Sequence, residues 1–254
     1  MTASLFDVNC QLGRLPWGEI QVGSIDALLA DMDRFGVDRA LVSHTLSWRH
    51  DPATGNQQVV RELREHRHDG RLRACWVALP ESCAELSPPD EFTREAIAAG
   101  VAAVRVYPAD HGFDLDGPDF AGYAAACAVA GLPLVVDLGE TSWQALDGLA
   151  HDHPELAVVV CEVGYRVLRR AAPVLERRPN VHIDLSDLST HEGPEWLCAR
   201  FGPDRLVFGT GAPRRDAAEA VARLFWSDLD DAAVARIGHE NLDALLTRIP
   251  EVVR

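Results

Sequence analysis

Two carboxylates close neighbouring apolar runs in this chain, and both are placed where proton transfer is feasible. Asp137 follows Leu132–Val136, and Glu162 follows Ala157–Cys161. If both runs are adjacent parallel strands, the spacing of about 4.8 Å between strands puts the two carboxylates about 5–8 Å apart. At that range in a half-buried site one pKa rises above the other, giving one acid and one base. The structural alternative ties each carboxylate to an arginine or a backbone N–H. Asn9 and Gln11, two apart on one apolar run, share a face and can donate hydrogen bonds to a developing oxyanion. Asp184 closes another run and joins the residues expected to contact substrate.

Arg105 interrupts an apolar stretch, so it needs either a substrate carboxylate, which its fork grips bidentately, or a buried partner such as Asp137. His44, at the end of the second run, is a candidate proton carrier or a hydrogen-bonded strand-end histidine. Trp48, Trp76 and Tyr107 lie at or just past run ends and are expected to line a pocket for a ring-shaped ligand. An oxygen-rich site for Mg²⁺, Mn²⁺ or Ca²⁺ is the metal-bearing alternative for the same residues. Arg214 and Arg215 open the helix after the last run, where an anion site is a further option.

The elements that must position these side chains repeat. Apolar runs begin near Leu5, Asp38, Leu72, Gly100, Leu132, Leu156, Asn180 and Arg205, each followed by a helix-like stretch. Each unit reads as one strand and one covering helix, and eight of them fit a (β/α)8 TIM barrel spanning residues 1–254 as a single domain. The runs are nearly continuous rather than alternating, as expected for strands covered on both faces. A doubly wound open sheet is disfavoured, because no Gly-x-Gly-x-x-Gly follows the first run. Ser24 is placed to cap the first helix and Gly36 to close it. Pro173 is expected to kink the sixth helix or to begin a second segment.

At 254 residues with 47% hydrophobic composition, the chain can bury a large core. Its formal net charge of −15 opposes nonspecific binding to nucleic acid or an anionic membrane, and a small-molecule substrate is expected instead. Six cysteines show no Cys-x-x-Cys or zinc-knuckle spacing, which suits a reducing compartment. With no signal-like or membrane-length apolar segment, a cytoplasmic protein is expected, with a homodimer as one option.

Four stretches resemble the amidohydrolase-related barrel hydrolases, a group that includes small-acid decarboxylases and lactonases. Phe6-Asp7-Val8-Asn9-Cys10-Gln11-Leu12-Gly13 is similar to that family's first strand, usually Asp-x-His-x-His-x-Gly. Gly100–Pro108 resembles its fourth strand, in which a Lys or Arg precedes an aromatic and a Pro. Asp204–Pro213 resembles its eighth strand, and Asn241 within Ile237–Leu246 resembles its closing helix. The resemblance implies a barrel whose divalent metal is held by the first-strand histidines, by strands five and six, and by an aspartate on strand eight. Here those positions are Asn9 and Gln11, Asp137, Glu162 and Gly211. Neutral amides are poor zinc ligands, and losing the carboxylate at position 211 removes the base for a metal-bound water.

The sequence therefore predicts a metal-independent hydrolase or lyase of a small carboxylated or cyclic molecule, with no cofactor. Asp137, Glu162 and His44 would be catalytic. Asn9, Gln11, Arg105, Tyr107, Trp48, Trp76 and Asp184 would bind substrate. The alternatives are a hydrolase using an oxygen-ligated divalent metal (Mg, Mn or Zn) at the same mouth, and a non-catalytic binding or scaffold barrel.

Overall fold

Continuous burial on both faces dictates the architecture. The computed structural model describes residues 3–15 and 23–249. Strands β1 (Phe6–Leu12), β2 (Arg39–His44), β3 (Leu72–Val77), β4 (Ala103–Val106), β5 (Leu134–Asp137), β6 (Val158–Cys161), β7 (Val181–Asp184) and β8 (Leu206–Val207) pair in parallel in chain order. β8 returns to β1 through Val8 N to Phe208 O at 3.0 Å and Gln11 N to Ala212 O at 2.9 Å. The expected (β/α)8 TIM barrel is borne out.

Side chains alternate across each strand between two cores. Phe6, Val8, Leu41, Cys75, Ala103, Val135, Val159, Cys161 and Val207 fill the barrel interior, which Leu242, Leu245 and Leu246 close at the amino-terminal end. Their strand neighbours, including Val42, Val104, Val136, Val160 and Ile183, pack outward against the helices. Ser24 Oγ accepts from Ala27 N at 3.2 Å, and Gly36 ends the first helix at φ 72°. The closing segment Ile237–Leu246 is fixed by Asn241, whose Nδ2 donates to Pro203 O at 2.9 Å and Leu206 O at 2.7 Å.

The helix Leu168–Arg177 continues through Pro173, so no second segment begins there. The carbonyl left without its N–H partner is that of Arg169, an exposed residue in the first turn of the helix. Among the described residues, no helix is long and apolar enough to cross a membrane.

The seam between β1 and β8 hangs on Asp7. Its buried carboxylate accepts from Asn9 N at 2.8 Å and Thr210 N at 3.0 Å, from Cys10 Sγ at 3.0 Å, and from Thr210 Oγ1. Burial raises its pKa against these four donors. Asp7→Ala strands two buried N–H groups, and we expect a loss of about 2–4 kcal/mol. Urea unfolding measures it, and a loss below about 1 kcal/mol would remove the seam role.

Candidate active site

The carboxyl ends of the strands bring most of the sequence-predicted residues to one mouth. At its floor lies Arg105 of β4, only 1% exposed. A guanidinium so deep must have its charge met inside the protein. Its Nη1 donates to Asn9 Oδ1 at 2.8 Å, and its Nη2 donates to Asp137 Oδ1. Of the two roles open to Arg105, the structure shows the buried ion pair; it is sealed by its partners, so it is corrected from substrate clamp to floor.

Above it stands Arg214, in the turn after β8. Its Nη2 donates to Asp137 Oδ2 at 2.9 Å and lies 2.6 Å from Glu162 Oε1, so one guanidinium nitrogen bridges the two carboxylates. Arg215 Nη2 lies 3.7 Å from Glu162 Oε2 and donates to Asp187 Oδ2 at 2.9 Å. Glu162 takes a left-handed backbone, φ 53°, which few residues other than glycine adopt. Burial raises its pKa, and the charge of Asp137 adds to the rise, while Arg214 holds it back.

Asp184 sits one layer deeper and is fully buried, so it is placed to support the site rather than to touch a substrate. Its Oδ1 accepts from Glu162 N at 3.1 Å and from Ser186 Oγ at 2.9 Å, and its Oδ2 faces Asn9 Nδ2 at 3.3 Å. Burial pushes its pKa up to about 7 against the Ser186 bond, with Glu162 and Asp137 adding like charge. Gln11 Nε2 donates to Tyr107 Oη at 2.8 Å, and Gln11 Oε1 is buried without a partner. The Tyr107 ring stacks on Trp48, with centroids 5.0 Å apart, and Arg214 lies 4.9 Å from the Trp48 centroid.

Two expected residues stand elsewhere. His44 Nδ1 accepts from Leu46 N at 3.0 Å, and Nε2 lies 3.5 Å from Glu62 Oε1. The imidazole thus caps a helix and meets the helix Pro52–Glu65 instead of Asp137 or Glu162. Burial lowers its pKa against the pull of Glu62. Trp76 faces outward, 5.5 Å from the Phe92 ring in the helix Pro89–Ala99, because its strand parity opposes that of Cys75 and Val77. Arg214 as the bridging cation was not foreseen. The signal was the Arg214-Arg215 pair directly after the eighth strand. Position 211 explains why they fit. Gly211 has φ +75°, and a Cβ there would meet Arg215 Cδ at 3.0 Å and Glu162 Oε1 at 3.4 Å. The aspartate implied by the resemblance would collide with the arginine and repel the glutamate.

Removing Arg105 leaves a buried carboxylate short of its partner. Arg105→Met should cost about 3–5 kcal/mol, and adding Asp137→Leu should recover much of it. A double-mutant cycle by chemical denaturation tests this, and strict additivity would mean that the pair is not coupled.

Comparison with known proteins agrees with this architecture. An amidohydrolase family model matches residues 7–246. No curated protein sequence matches the chain. Among solved structures, an uncharacterized TIM-barrel protein from Bordetella bronchiseptica superposes with a TM-score of 0.76 at 15% identity, covering 96% of this chain and 99% of that one. A 2,6-dihydroxybenzoate decarboxylase from Rhizobium gives 0.73 at 17% identity, over 97% and 99%. A 5-carboxyvanillate decarboxylase from Novosphingobium aromaticivorans, complexed with manganese and 4-hydroxy-3-methoxy-5-nitrobenzoic acid, gives 0.75 at 14% identity, over 96% of each chain. At these identities the likeness shows the fold. The manganese in the last structure corrects the expectation of no cofactor: a divalent metal, not its absence, accompanies this fold.

Proposed function

Because this chain belongs to the amidohydrolase family, an enzyme group of hydrolase and lyase type, we propose that its barrel mouth acts on a small carboxylated organic molecule. Loss of carbon dioxide from a carboxylated ring is the favoured reaction, as in the decarboxylases of the same fold. The observation that carries this is the single guanidinium nitrogen of Arg214 bridging Asp137 and Glu162.

Arg214 and Arg215 have accessible surface at the mouth, their side chains 19% and 31% exposed. A substrate carboxylate competes with Glu162 for them, and the exchange leaves Glu162 unpaired beside Asp137. Unpaired and desolvated, Glu162 takes up a proton from water and becomes the acid. It protonates the ring carbon that bears the carboxylate. The carbon–carboxylate bond then breaks, carbon dioxide leaves, and the bonding pair restores the ring. The proton stays on the product, and Glu162 is left as carboxylate to be reloaded from water. Asp184 steadies this exchange through its bond from Glu162 N. Tyr107 and Trp48 offer apolar ring surface for an aromatic substrate.

A second reading places an oxygen-ligated divalent metal at the same mouth, and the manganese of the related decarboxylase favours it. The donor set does not fit such an ion in the arrangement described. Asp137 has both oxygens on arginines, Glu162 is paired with two more guanidinium contacts, and Asn9 Oδ1 is taken by Arg105. Among the described residues, no group of three or more His, Cys, Asp or Glu side chains forms a metal cluster. No step above is routed through a metal.

Carbon dioxide release from a panel of hydroxybenzoates and related aromatic acids tests the reaction. Glu162→Gln should lower kcat by about 100-fold or more with the fold intact, whereas Arg214→Met should raise KM more than it lowers kcat. Full turnover by Glu162→Gln would sink the assignment. Arg214 and a cation should also compete for the same carboxylates. Added Mn²⁺ is expected to raise the melting temperature of Arg214→Met more than that of the unaltered protein, and equal shifts would exclude the competition.

A further inference from the structure

The mouth carries a second pair of carboxyl groups that this reaction does not use. Asp110 lies in the short helix Pro108–His111 after β4, and Glu140 lies in the turn Leu138–Glu140 after β5. Asp110 N donates to Glu140 Oε2 at 3.0 Å, which sets the two carboxyl groups side by side. Two carboxyl groups so placed share one proton. Asp110 is the ionised member: its Oδ2 accepts from Trp48 Nε1 at 2.6 Å and lies 2.8 Å from Arg49 Nη1. Glu140 is the protonated one. Burial pushes its pKa up to about 7 against the bond from Asp110 N, with the neighbouring Asp110 carboxyl and the charge of Asp137 adding to the rise.

What this pair holds is the roof of the site. The Trp48 indole lies on Tyr107 at an interplanar angle of 14°, with the Arg49 guanidinium 3.5 Å and the Arg214 guanidinium 4.9 Å from its centroid. Beneath it Tyr107, Gln11 and Arg105 are each no more than 1% exposed, and Asp137 is 4% exposed. The indole covers the Tyr107 face of this part of the mouth. The Trp48 backbone is held as well, its carbonyl oxygen 2.9 Å from His111 Nε2.

We infer that Glu140 is a positioning residue for this site: protonated, it joins Asp110 and keeps Trp48 seated over Tyr107, and ionised, it sets two carboxylates against each other and unseats the indole. The groups facing the pair are Arg49 from the segment Thr45–Arg49, His111 from the helix Pro108–His111, Asp137 from β5, and Arg214 across the indole. Asp137 strengthens the opposition to ionisation. The two arginines stay cationic throughout, so they set no pH-dependent step of their own. The sign follows from the raised value. Below the ordinary 4.5 of a glutamate the closed pair contributes its full stabilisation, and it loses that contribution as pH rises toward about 7. The roof is therefore closed in mild acid and loosened above neutrality.

Acrylamide quenching of Trp48 between about pH 5 and about pH 9 tests this without any substrate, so it stands or falls apart from the reaction. The chain has six tryptophans, so the Trp48 signal is taken as the difference from a Trp48→Phe variant. Quenching should rise through a transition near pH 7, be lost in Glu140→Gln, which keeps a hydrogen-bond donor but cannot ionise, and persist in His111→Gln. The same transition in Glu140→Gln, its loss in His111→Gln, or its absence from the unaltered protein would overturn the inference. Should Glu140→Gln fail to fold by circular dichroism, Asp110→Asn removes the like charge, and a transition that survives there overturns it equally.

Discussion

A guanidinium buried on the axis of the barrel sets the terms for everything around it. Arg105 has no route to water, so its charge must be answered by groups fixed on neighbouring strands. Asp137 supplies the opposite charge from β5, and Asn9 supplies a neutral oxygen from β1. A histidine at position 9 could not accept in the same way while also holding a metal. The first-strand amides, the β5 aspartate and the β4 arginine are thus one linked arrangement. Asp137 in turn fixes Arg214, and Arg214 fixes Glu162, which rests on the deeper Asp184.

That chain of charges reframes the substitutions at the positions where the family resemblance implies metal ligands. Taken singly, each change removes a donor. In this structure arginine guanidiniums meet Asp137 and Glu162 at the positions where the resemblance implies metal ligands. Gly211 belongs to the same arrangement, since the space an aspartate side chain would take there is occupied by Arg215 and faced by Glu162. On the reading proposed above, a dication and the Arg214 guanidinium compete for Asp137 and Glu162, one at a time. The manganese found with this fold elsewhere makes that exclusivity the central question for this family member.

The barrel was legible in the sequence because its signal is repeated and cooperative. Eight runs buried on both faces, with helix punctuation such as Ser24 and Gly36, leave few other architectures. Residues closing those runs, including Asp137, Glu162, Asn9 and Gln11, were placed at one mouth because strand ends share one side of a parallel barrel. Facing was harder. Trp76 looked like a mouth residue by position, yet its strand parity turns it to Phe92. His44 stands at a strand end, but its ring is claimed by Leu46 N and Glu62, partners that lie in the following helices.

The residues that sequence reasoning missed share a different property: they lie in loops, and loops give no periodicity. Arg214 was visible only as half of an arginine pair, and nothing in its neighbours announces that it folds back across the mouth. Asp110 and Glu140 each stand three residues beyond a strand-end residue, Tyr107 and Asp137, so a single turn carries each back toward the barrel axis. Adjacent strands bearing the same offset bring the two carboxyl groups together above the strand ends. The parallel register of β4 and β5, with Val106 opposite Val136, makes that meeting a consequence of the barrel itself. The loops thereby inherit their geometry from the strands, and the roof over Arg105 is positioned by the same register that buries it.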